Sequence, residues 1–209
     1  MKSVNILIAI FSVCLTLPAR SAESVSPHEM VGMCNSLVAY VSIAVMSKES
    51  TVPLDTAVAR TEVSINTKLT GVPPEIVDRY RAAVHELYRR IYQLTDLNVQ
   101  TAHSEIIPAC VVYSDGQYSE RDVHQMKMCE AKVQPYVGFA NIRDSGVPLE
   151  QQLQWLRDEG LKLAPNVPDR ERVLAELGDM MRYVYAHPEL SKQAIFLEQF
   201  TTCVQNSNV

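Results

Sequence analysis

Glycine is scarce in this sequence, with seven among 209 residues, and tryptophan occurs once. Phosphate-cradling loops and the fingerprint of dinucleotide-binding folds depend on clustered glycines, and neither pattern occurs. The Gly-x-Ser-x-Gly nucleophile elbow of many serine hydrolases is also missing from the sequence. These enzyme classes are therefore not indicated, and the sequence predicts no catalytic residue and no cofactor.

Histidine and cysteine do not occur at the spacings of a metal site. A helical zinc site needs histidines three or four residues apart, or Cys-x-x-Cys pairs. None of the five histidines has such a neighbour: His28, His85, His103, His124 and His187. His85-Glu86 begins like a zinc-protease motif, but Arg89 stands where the second histidine belongs. The sequence therefore predicts no metal ion, and we expect His103, which lies on an apolar helical stripe, in the core.

The chain is acidic, with 19 basic and 24 acidic residues and a net charge of −5. Removal of the N-terminal segment described next takes away Lys2 and Arg20 and no acidic residue, so the net charge becomes −7. Nucleic-acid binding relies on a basic surface. We therefore expect no nucleic-acid partner and no attraction to anionic membranes.

The first 21 residues have the organisation of a secretory signal peptide. Lys2 precedes an apolar run from Val4 to Leu17, and small residues occupy two of the three positions of Ala19-Arg20-Ser21. The run is shorter than the ~20 residues of a membrane span, and the residues before Cys14 do not match a lipoprotein signal. We expect cleavage near Ser21 and a periplasmic or secreted protein with no membrane anchor after cleavage.

An eight-residue stretch occurs twice. Residues 48–55 read Lys-Glu-Ser-Thr-Val-Pro-Leu-Asp, and residues 143–150, which lie 95 positions later, read Arg-Asp-Ser-Gly-Val-Pro-Leu-Glu. The same offset, or one of 93, relates further pairs: Cys34 and Cys129, Tyr92 and Tyr185, Cys110 and Cys203. Such a period exceeds the roughly 20–50 residues of solenoid repeats, so each copy should be a whole unit with its own core.

Each octapeptide is typical of a junction between two helices. Gly146 predicts a left-handed residue at the end of the preceding helix, and we expect a different turn in the first copy, where Thr51 takes its place. Pro53 and Pro148 suit the first position of the next helix, where a missing N–H costs no hydrogen bond. The stretch is interpreted as helix punctuation, with a shared ligand-binding loop as the alternative.

Apolar residues recur with a helical period through both copies. Helices are predicted over about residues 30–48, 53–68, 73–94 and 98–110, and again over about residues 126–144, 148–162, 168–186 and 191–204. Asn98 and Ser191 are suitable N-caps. The sequence thus predicts an all-α protein of two tandem four-helix units, residues 28–112 and 125–206, joined by a linker, residues 113–124, with an Asp-Gly turn.

Four cysteines remain after signal removal, because Cys14 lies within the signal peptide. An even number in an oxidising compartment predicts two disulfides, for which three pairings are possible. Helices joined by short loops alternate in direction, so the first and fourth helices of a unit bring their outer termini to one end. We therefore expect Cys34 to pair with Cys110 and Cys129 with Cys203.

The third predicted helix carries the best candidate for a partner surface. Tyrosine and arginine are enriched at interface hot spots, and a spacing of eight and four residues puts three tyrosines on one side of this helix. The competing interpretation places these tyrosines at the edge of the core. The candidate residues are Tyr80, Arg81, Tyr88, Arg89 and Tyr92.

Motifs of the second copy carry a resemblance. An apolar helix follows Cys129, residues 143–151 read Arg-Asp-Ser-Gly-Val-Pro-Leu-Glu-Gln, and residues 184–191 read Val-Tyr-Ala-His-Pro-Glu-Leu-Ser before Phe200-x-x-Cys203. With these motifs the chain resembles small secreted two-cysteine helical proteins of proteobacteria, here in tandem. The first copy departs from the pattern at residues 95–98, which read Thr-Asp-Leu-Asn. The resemblance implies a helical fold and an extracytoplasmic location, and it implies no reaction.

Three functional hypotheses follow. The favoured one is a non-catalytic module that binds a partner protein, of the inhibitor or immunity type among the options. The second is an envelope enzyme whose site lies in the groove between the two units. The third is a periplasmic stress chaperone, which predicts clustered charges that the sequence does not contain.

Overall fold

The described part of the chain is entirely helical. A computed structural model describes residues 24–159 and 169–207. The predicted signal peptide, residues 1–21, lies outside the described residues. All regular elements in the described ranges are α-helices, which confirms the predicted fold class: α1 Pro27–Glu49, α2 Leu54–Lys68, α3 Pro74–Gln93, α4 Val99–Ser104, α5 Ile106–Tyr113, α6 Glu120–Asp144, α7 Leu149–Asp158, α8 Arg170–Ala186 and α9 Lys192–Asn206.

Helices α1 and α6 begin with the same capping box. Ser26 Oγ accepts a hydrogen bond from the Glu29 N–H at 3.2 Å, while Glu29 Oε2 accepts one from the Ser26 N–H at 2.8 Å. Ser119 and Asp122 repeat both bonds, at 3.2 and 2.9 Å. These bonds satisfy N–H groups that a helix start leaves free. They also hold the pKa of both carboxyl groups below their ordinary values.

The predicted N-caps of α4 and α9 are confirmed. Asn98 Oδ1 accepts from the Thr101 N–H at 2.9 Å, and Ser191 Oγ accepts from the Ala194 N–H at 3.2 Å. Polar residues with short side chains therefore mark the start of both helices, as their cap propensity predicts.

The two octapeptide turns share a left-handed residue but differ in one hydrogen bond, in line with the expectation of a different turn at Thr51. The Val52 N–H bonds to the Ser47 carbonyl at 2.9 Å, a bond that Val147 does not repeat within the described residues. Thr51 has φ of 56° and Gly146 has φ of 84°, so both residues are left-handed. In each copy the N–H of this residue bonds to the carbonyl three residues before it at 2.9 Å. Pro53 and Pro148 have extended backbone, and α2 and α7 begin one residue later. The prolines thus precede their helices and do not occupy the first helical position.

A basic side chain in each octapeptide caps the end of a neighbouring helix. Lys48 Nζ donates to the carbonyls at the end of α3, at 3.1 and 2.5 Å from Ile91 O and Leu94 O. The Arg143 guanidinium donates to carbonyls at the end of α8, at 2.8–3.0 Å from their oxygen atoms: Val184, His187 and Leu190. Helix ends leave such carbonyls unpaired, and cations are favourable there.

A tyrosine closes the octapeptide turn in both halves. Tyr92 Oη donates to the Val52 carbonyl at 2.9 Å, and Tyr185 Oη donates to the Val147 carbonyl at 2.5 Å. The two tyrosines and the two carbonyls occupy positions that the sequence repeat relates. The third helix of each half is thereby fixed against the turn that follows the first.

The fourth predicted helix of the first half is broken, so that half contains five helices and not four. Residues 99–104 and 106–113 form separate helices that meet at Glu105. Pro108 has no N–H to bond the Ser104 carbonyl, and its ring crowds that carbonyl. The second piece extends to Tyr113 and α6 begins at Glu120, so the connection covers residues 114–119 and not the predicted linker, 113–124.

One core crosses the boundary between the halves, so the expectation of a separate core in each copy is wrong. The largest cluster of buried residues includes Met30 and Leu37 on α1, Met126 and Val133 on α6, and Phe200 on α9. It forms because α1 packs against α6 and α9 as well as against helices of its own half. Two smaller clusters lie within the second half.

The two disulfides have the pairing that the helix order predicts. Cys34 is bonded to Cys110 and Cys129 to Cys203, with Cα atoms 5.4 and 5.7 Å apart. Each bridge closes a loop within one half, with sequence separations of 76 and 74 residues. Paired cysteines of this kind are typical of an oxidising compartment.

Candidate functional site

The residues of the predicted partner surface on α3 differ in exposure, since Tyr88 is buried, Tyr80 and Tyr92 are half-buried and Arg89 is exposed, and the surface stays a prediction. Tyr88 is fully buried and its hydroxyl lies 2.7 Å from Thr61 Oγ1. Burial raises the pKa of Tyr88. Tyr80 packs edge-to-face on buried Tyr40, with ring centroids 6.2 Å apart, and Tyr92 is half-buried in its contact with the octapeptide turn. The spacing that put three tyrosines on one side of the helix therefore marks its inner side.

The two arginines of that prediction are solvent-facing and paired with acids of the same chain. Arg81 lies 2.5 Å from Asp78 and 3.6 Å from Glu62, and Arg89 forms two bonds to Glu86 at 2.5 and 2.7 Å. Because acidic residues of α2 and α3 already pair with both arginines, little unpaired charge remains there for a partner. The structure thus separates the arginines from the tyrosines.

Helix α1 carries an exposed apolar face that the sequence analysis did not identify. Within the described residues it is the one helix long and apolar enough to cross a membrane, with a mean hydropathy of 1.6 over its most apolar 18 residues. Half of that window is buried inside the protein. On the other side Val38, Ile43 and Met46 are 42, 43 and 57% exposed. These three residues are termed the outer α1 face.

A groove lies beside this face where α1, α4, α5 and α6 meet, and it is termed the junction groove. Its volume is about 250 Å³. Val38, Ile106, Ile107 and Met128 supply its apolar surface; the other residues are Cys34, Asn35, His103, His124 and Lys127. Residues from both halves line it, so it lies where the sequence analysis placed the site of an enzyme.

His103 lines this groove and is exposed, which corrects its predicted place in the core. The prediction assumed one continuous helix, but the break at Glu105 rotates α4 relative to α5. In the described part of the chain, neither His103 nor His124 is hydrogen-bonded to a carboxylate that would orient it as a general base.

Side-chain bonds tie α1 to α6 at the edge of the groove. Asn35 Nδ2 donates to Glu130 Oε1 at 2.6 Å. Lys127 Nζ donates to Asn35 Oδ1 and to the second carboxylate oxygen of Glu130. Asn35 and Glu130 are at positions 95 apart, so the repeat places them in equivalent positions on the two helices. The two halves thus meet through equivalent elements.

A second concave site lies between α7 and α8 and is termed the α7–α8 cavity. Its volume is about 440 Å³, within the range of roughly 300–1,000 Å³ that is usual for small-ligand pockets. Leucines, an alanine and a glycine form its apolar surface, and charged residues lie at its rim: Leu153, Leu156, Leu174, Ala175 and Gly178, with Arg157, Glu171, Asp179 and Arg182.

Long polar side chains occupy the corresponding place in the first half. Glu62 Oε1 lies 3.0 Å from His85 Nε2 and 3.6 Å from Arg81 Nε. The repeat relates His85 to Gly178, 93 residues later, and Glu62 to Arg157, 95 residues later. A glycine in place of a histidine leaves the space that the cavity occupies, and aligning the two copies would have revealed this difference.

Within residues 24–159 and 169–207 no group of three or more histidine, cysteine, aspartate or glutamate residues is arranged to hold a metal ion. The α7–α8 cavity and the junction groove are mainly apolar with a few polar groups, which is the usual make-up of a small-ligand site. Comparisons with protein families, curated proteins and solved structures find no match to this chain. The resemblance to secreted two-cysteine proteins therefore stays a prediction.

Proposed function

We propose that the protein is a non-catalytic binding module, exported by its signal peptide, that holds a partner protein against the outer α1 face. The observation that carries this proposal is the exposure of three large apolar side chains on one helix: Val38, Ile43 and Met46 are 42–57% exposed. They share the outer side of α1 with the exposed Asn35, Ser42 and Glu49. Apolar residues grouped in this way and rimmed by polar ones mark interaction surfaces, so a partner is expected to cover them.

The chemistry of the surroundings defines the partner. Met128, which is 47% exposed, extends the apolar surface from α1 across the junction groove, and the described groove residues include no carboxylate. On a chain with an overall negative charge, such a surface favours a partner that presents apolar side chains and is not itself basic at the contact. An inhibitor or an immunity-type protein is among the options for such a module.

The proposal includes a duplicated architecture in which two similar helical units arise from one. Support comes from the matched contacts of Lys48 and Arg143 and of Tyr92 and Tyr185. A stapled scaffold that is used twice gives one rigid body with two sets of surfaces. Rigid surfaces bind with a smaller loss of conformational entropy than flexible ones.

A capture experiment with matched variants tests the proposal. The mature protein is immobilised, exposed to envelope extract of the source cell, and the bound protein is quantified by mass spectrometry. Met46→Glu and Ile43→Glu put a carboxylate on the outer α1 face and are expected to reduce capture at least tenfold, about 1.4 kcal/mol. Val63→Glu on α2 is the control, since Val63 is 68% exposed and apolar but isolated from α1.

Loss of capture in both α1 variants and retention in the control supports the proposal. Equal capture by all variants contradicts it. A dimer of the protein itself, detected by size-exclusion chromatography and dissociated by Met46→Glu, would show instead that a second copy covers the outer α1 face.

A further inference from the structure

Two exposed charged residues that line the apolar α7–α8 cavity, Arg157 and Glu171, have no ion-pair partner among residues 24–159 and 169–207. Arg157 donates to the neutral Gln154 at 2.9 Å, and within the described ranges it has no carboxylate at ion-pair distance. Glu171 has neither an ion pair nor a side-chain hydrogen bond in the same part of the chain. The other two charges at the rim, Arg182 and Asp179, neutralise each other at 2.7 Å.

The cavity is a product of divergence between the two halves. In the first half Glu62 lies at ion-pair distance from Arg81 and its Oε1 is 3.0 Å from His85 Nε2. In the second half the corresponding residues are Arg157, Gly178 and Leu174, which remove the pairing and open an apolar space. Unpaired charges of opposite sign beside an apolar cavity are complementary to a ligand with both charges and an apolar body.

We propose that the α7–α8 cavity binds a small apolar zwitterion, namely an apolar amino acid or a short apolar peptide. The ligand's carboxylate pairs with Arg157, its ammonium group pairs with Glu171, and its side chains contact Leu153, Leu156 and Leu174. Guanidinium groups bind carboxylates with two parallel hydrogen bonds, which gives Arg157 the larger share of recognition. This site is separate from the outer α1 face and does not depend on the proposed protein partner.

Gly178 determines whether the ligand has room. A Cβ added there would lie 3.6 Å from the Arg182 guanidinium and 3.8 Å from Leu153, which are ordinary contacts. Gly178→Ala is therefore expected to fold and to retain binding. Gly178→Leu places a branched side chain where the histidine of the first half stands and is expected to abolish binding.

The test uses the dipeptide leucyl-phenylalanine and two blocked forms, titrated into the mature protein by calorimetry. The N-acetylated form lacks the ammonium charge, and the C-terminal amide lacks the carboxylate. Each block is expected to weaken binding about tenfold, the effect of one charged hydrogen-bonded contact of about 1.4 kcal/mol.

Two variants assign the charges. Arg157→Gln should remove the difference between the free acid and its amide, while Glu171→Gln should remove the difference between the free and the acetylated amine. Arg172→Gln, an exposed change on α8 outside the cavity lining, is the control and should bind as the wild type does. Circular dichroism checks that every variant is folded.

The proposal is supported if each blocked dipeptide binds more weakly than the free one and if each variant removes the effect of its matching block. Absence of dipeptide binding to the wild type, equal affinity for blocked and free forms, or unchanged binding in Gly178→Leu overturns it. None of these results bears on capture of a protein by the outer α1 face.

Discussion

Replacement of Arg143 by methionine is expected to destabilise the protein by about 3 kcal/mol. The guanidinium donates to the carbonyls of Val184, His187 and Leu190 at 2.8–3.0 Å, and methionine retains the apolar stem while removing all three bonds. A hydrogen bond to a charged group contributes about 1.5–3 kcal/mol.

For two reasons the expected loss of stability is smaller than the sum of three such hydrogen bonds. The three bonds share one cation, and the released carbonyls lie at a helix end where water replaces part of the loss. The side chain of Arg143 is only 10% exposed, so solvent screens these bonds weakly. About 3 kcal/mol is a large fraction of the roughly 5–15 kcal/mol that stabilises a typical domain.

Urea unfolding followed by far-ultraviolet circular dichroism at pH 7 measures the effect. Arg143→Lys should cost only about 1 kcal/mol, because Lys48 serves two carbonyls at the equivalent place in the first half. Arg172→Met is the control, with an expected cost below about 0.5 kcal/mol, since its ion pairs are exposed. An Arg143→Met loss no larger than that of the control would refute the capping argument.

Three further predictions concern stability. Cys110→Ser opens a loop with a separation of 76 residues and should cost about 4 kcal/mol by the chain-entropy model, with peptide mapping under non-reducing conditions showing a free Cys34. Gly32→Ala should stabilise α1 by about 0.5–1 kcal/mol, because an added Cβ would meet no atom within 4 Å. Ser26→Ala should cost about 1 kcal/mol at neutral pH and less in acid. The Ser26 N–H, which alanine keeps, and the Ser26 hydroxyl, which it removes, both hold the pKa of Glu29 below its ordinary value of 4.5. The hydroxyl's share of this stabilisation is present above about pH 4.5 and is lost as pH falls through the lowered pKa.

Each of these has a matched control. Cys203→Ser should free Cys129 and leave the first bridge intact, and a mixed bridge between the halves would contradict the pairing. Gly146→Ala should destabilise, because Gly146 has φ of 84°, and stabilisation by both alanines would show that backbone conformation is not the cause. A pH-independent loss in Ser26→Ala would show that the serine acts without the carboxylate.

Local signals predicted the helices and disulfides well. Periodicity and cap residues such as Ser191 depend on neighbours within one or two turns, so they can be read from sequence. The break at Glu105 was also visible, since Pro108 stands four residues after Ser104, and missing it misplaced His103. The left-handed conformation of Thr51 could not be predicted, because a β-branched residue there is held by hydrogen bonds that tertiary packing supports.

The packing of one half on the other depends on long-range contacts. Sequence spacing assigned the tyrosines of α3 to one side of the helix but could not say whether that side faced water. It equally assigned one apolar stripe to α1, and the exposed apolar residues beside that stripe were overlooked because periodicity does not tell an exposed apolar residue from a buried one. The α1–α6 contact and the continuous core follow from which faces meet, which periodicity does not specify.

A comparison of the two halves distinguishes the residues that hold the fold together from the residues of the proposed binding sites. The shared positions are the cysteines, the basic caps, the closing tyrosines and the octapeptide prolines, all of which hold helices together. The outer α1 face is not shared, since 95 residues after Val38, Ile43 and Met46 the chain has buried Val133, then Gly138 and Asn141. The α7–α8 cavity is lined by Arg157, Leu174 and Gly178, whereas the repeat relates these to Glu62, Arg81 and His85 in the first half. Both proposed binding sites therefore lie at positions where the two copies have different residues. This is expected if the shared residues maintain the fold and the differing residues bind partners.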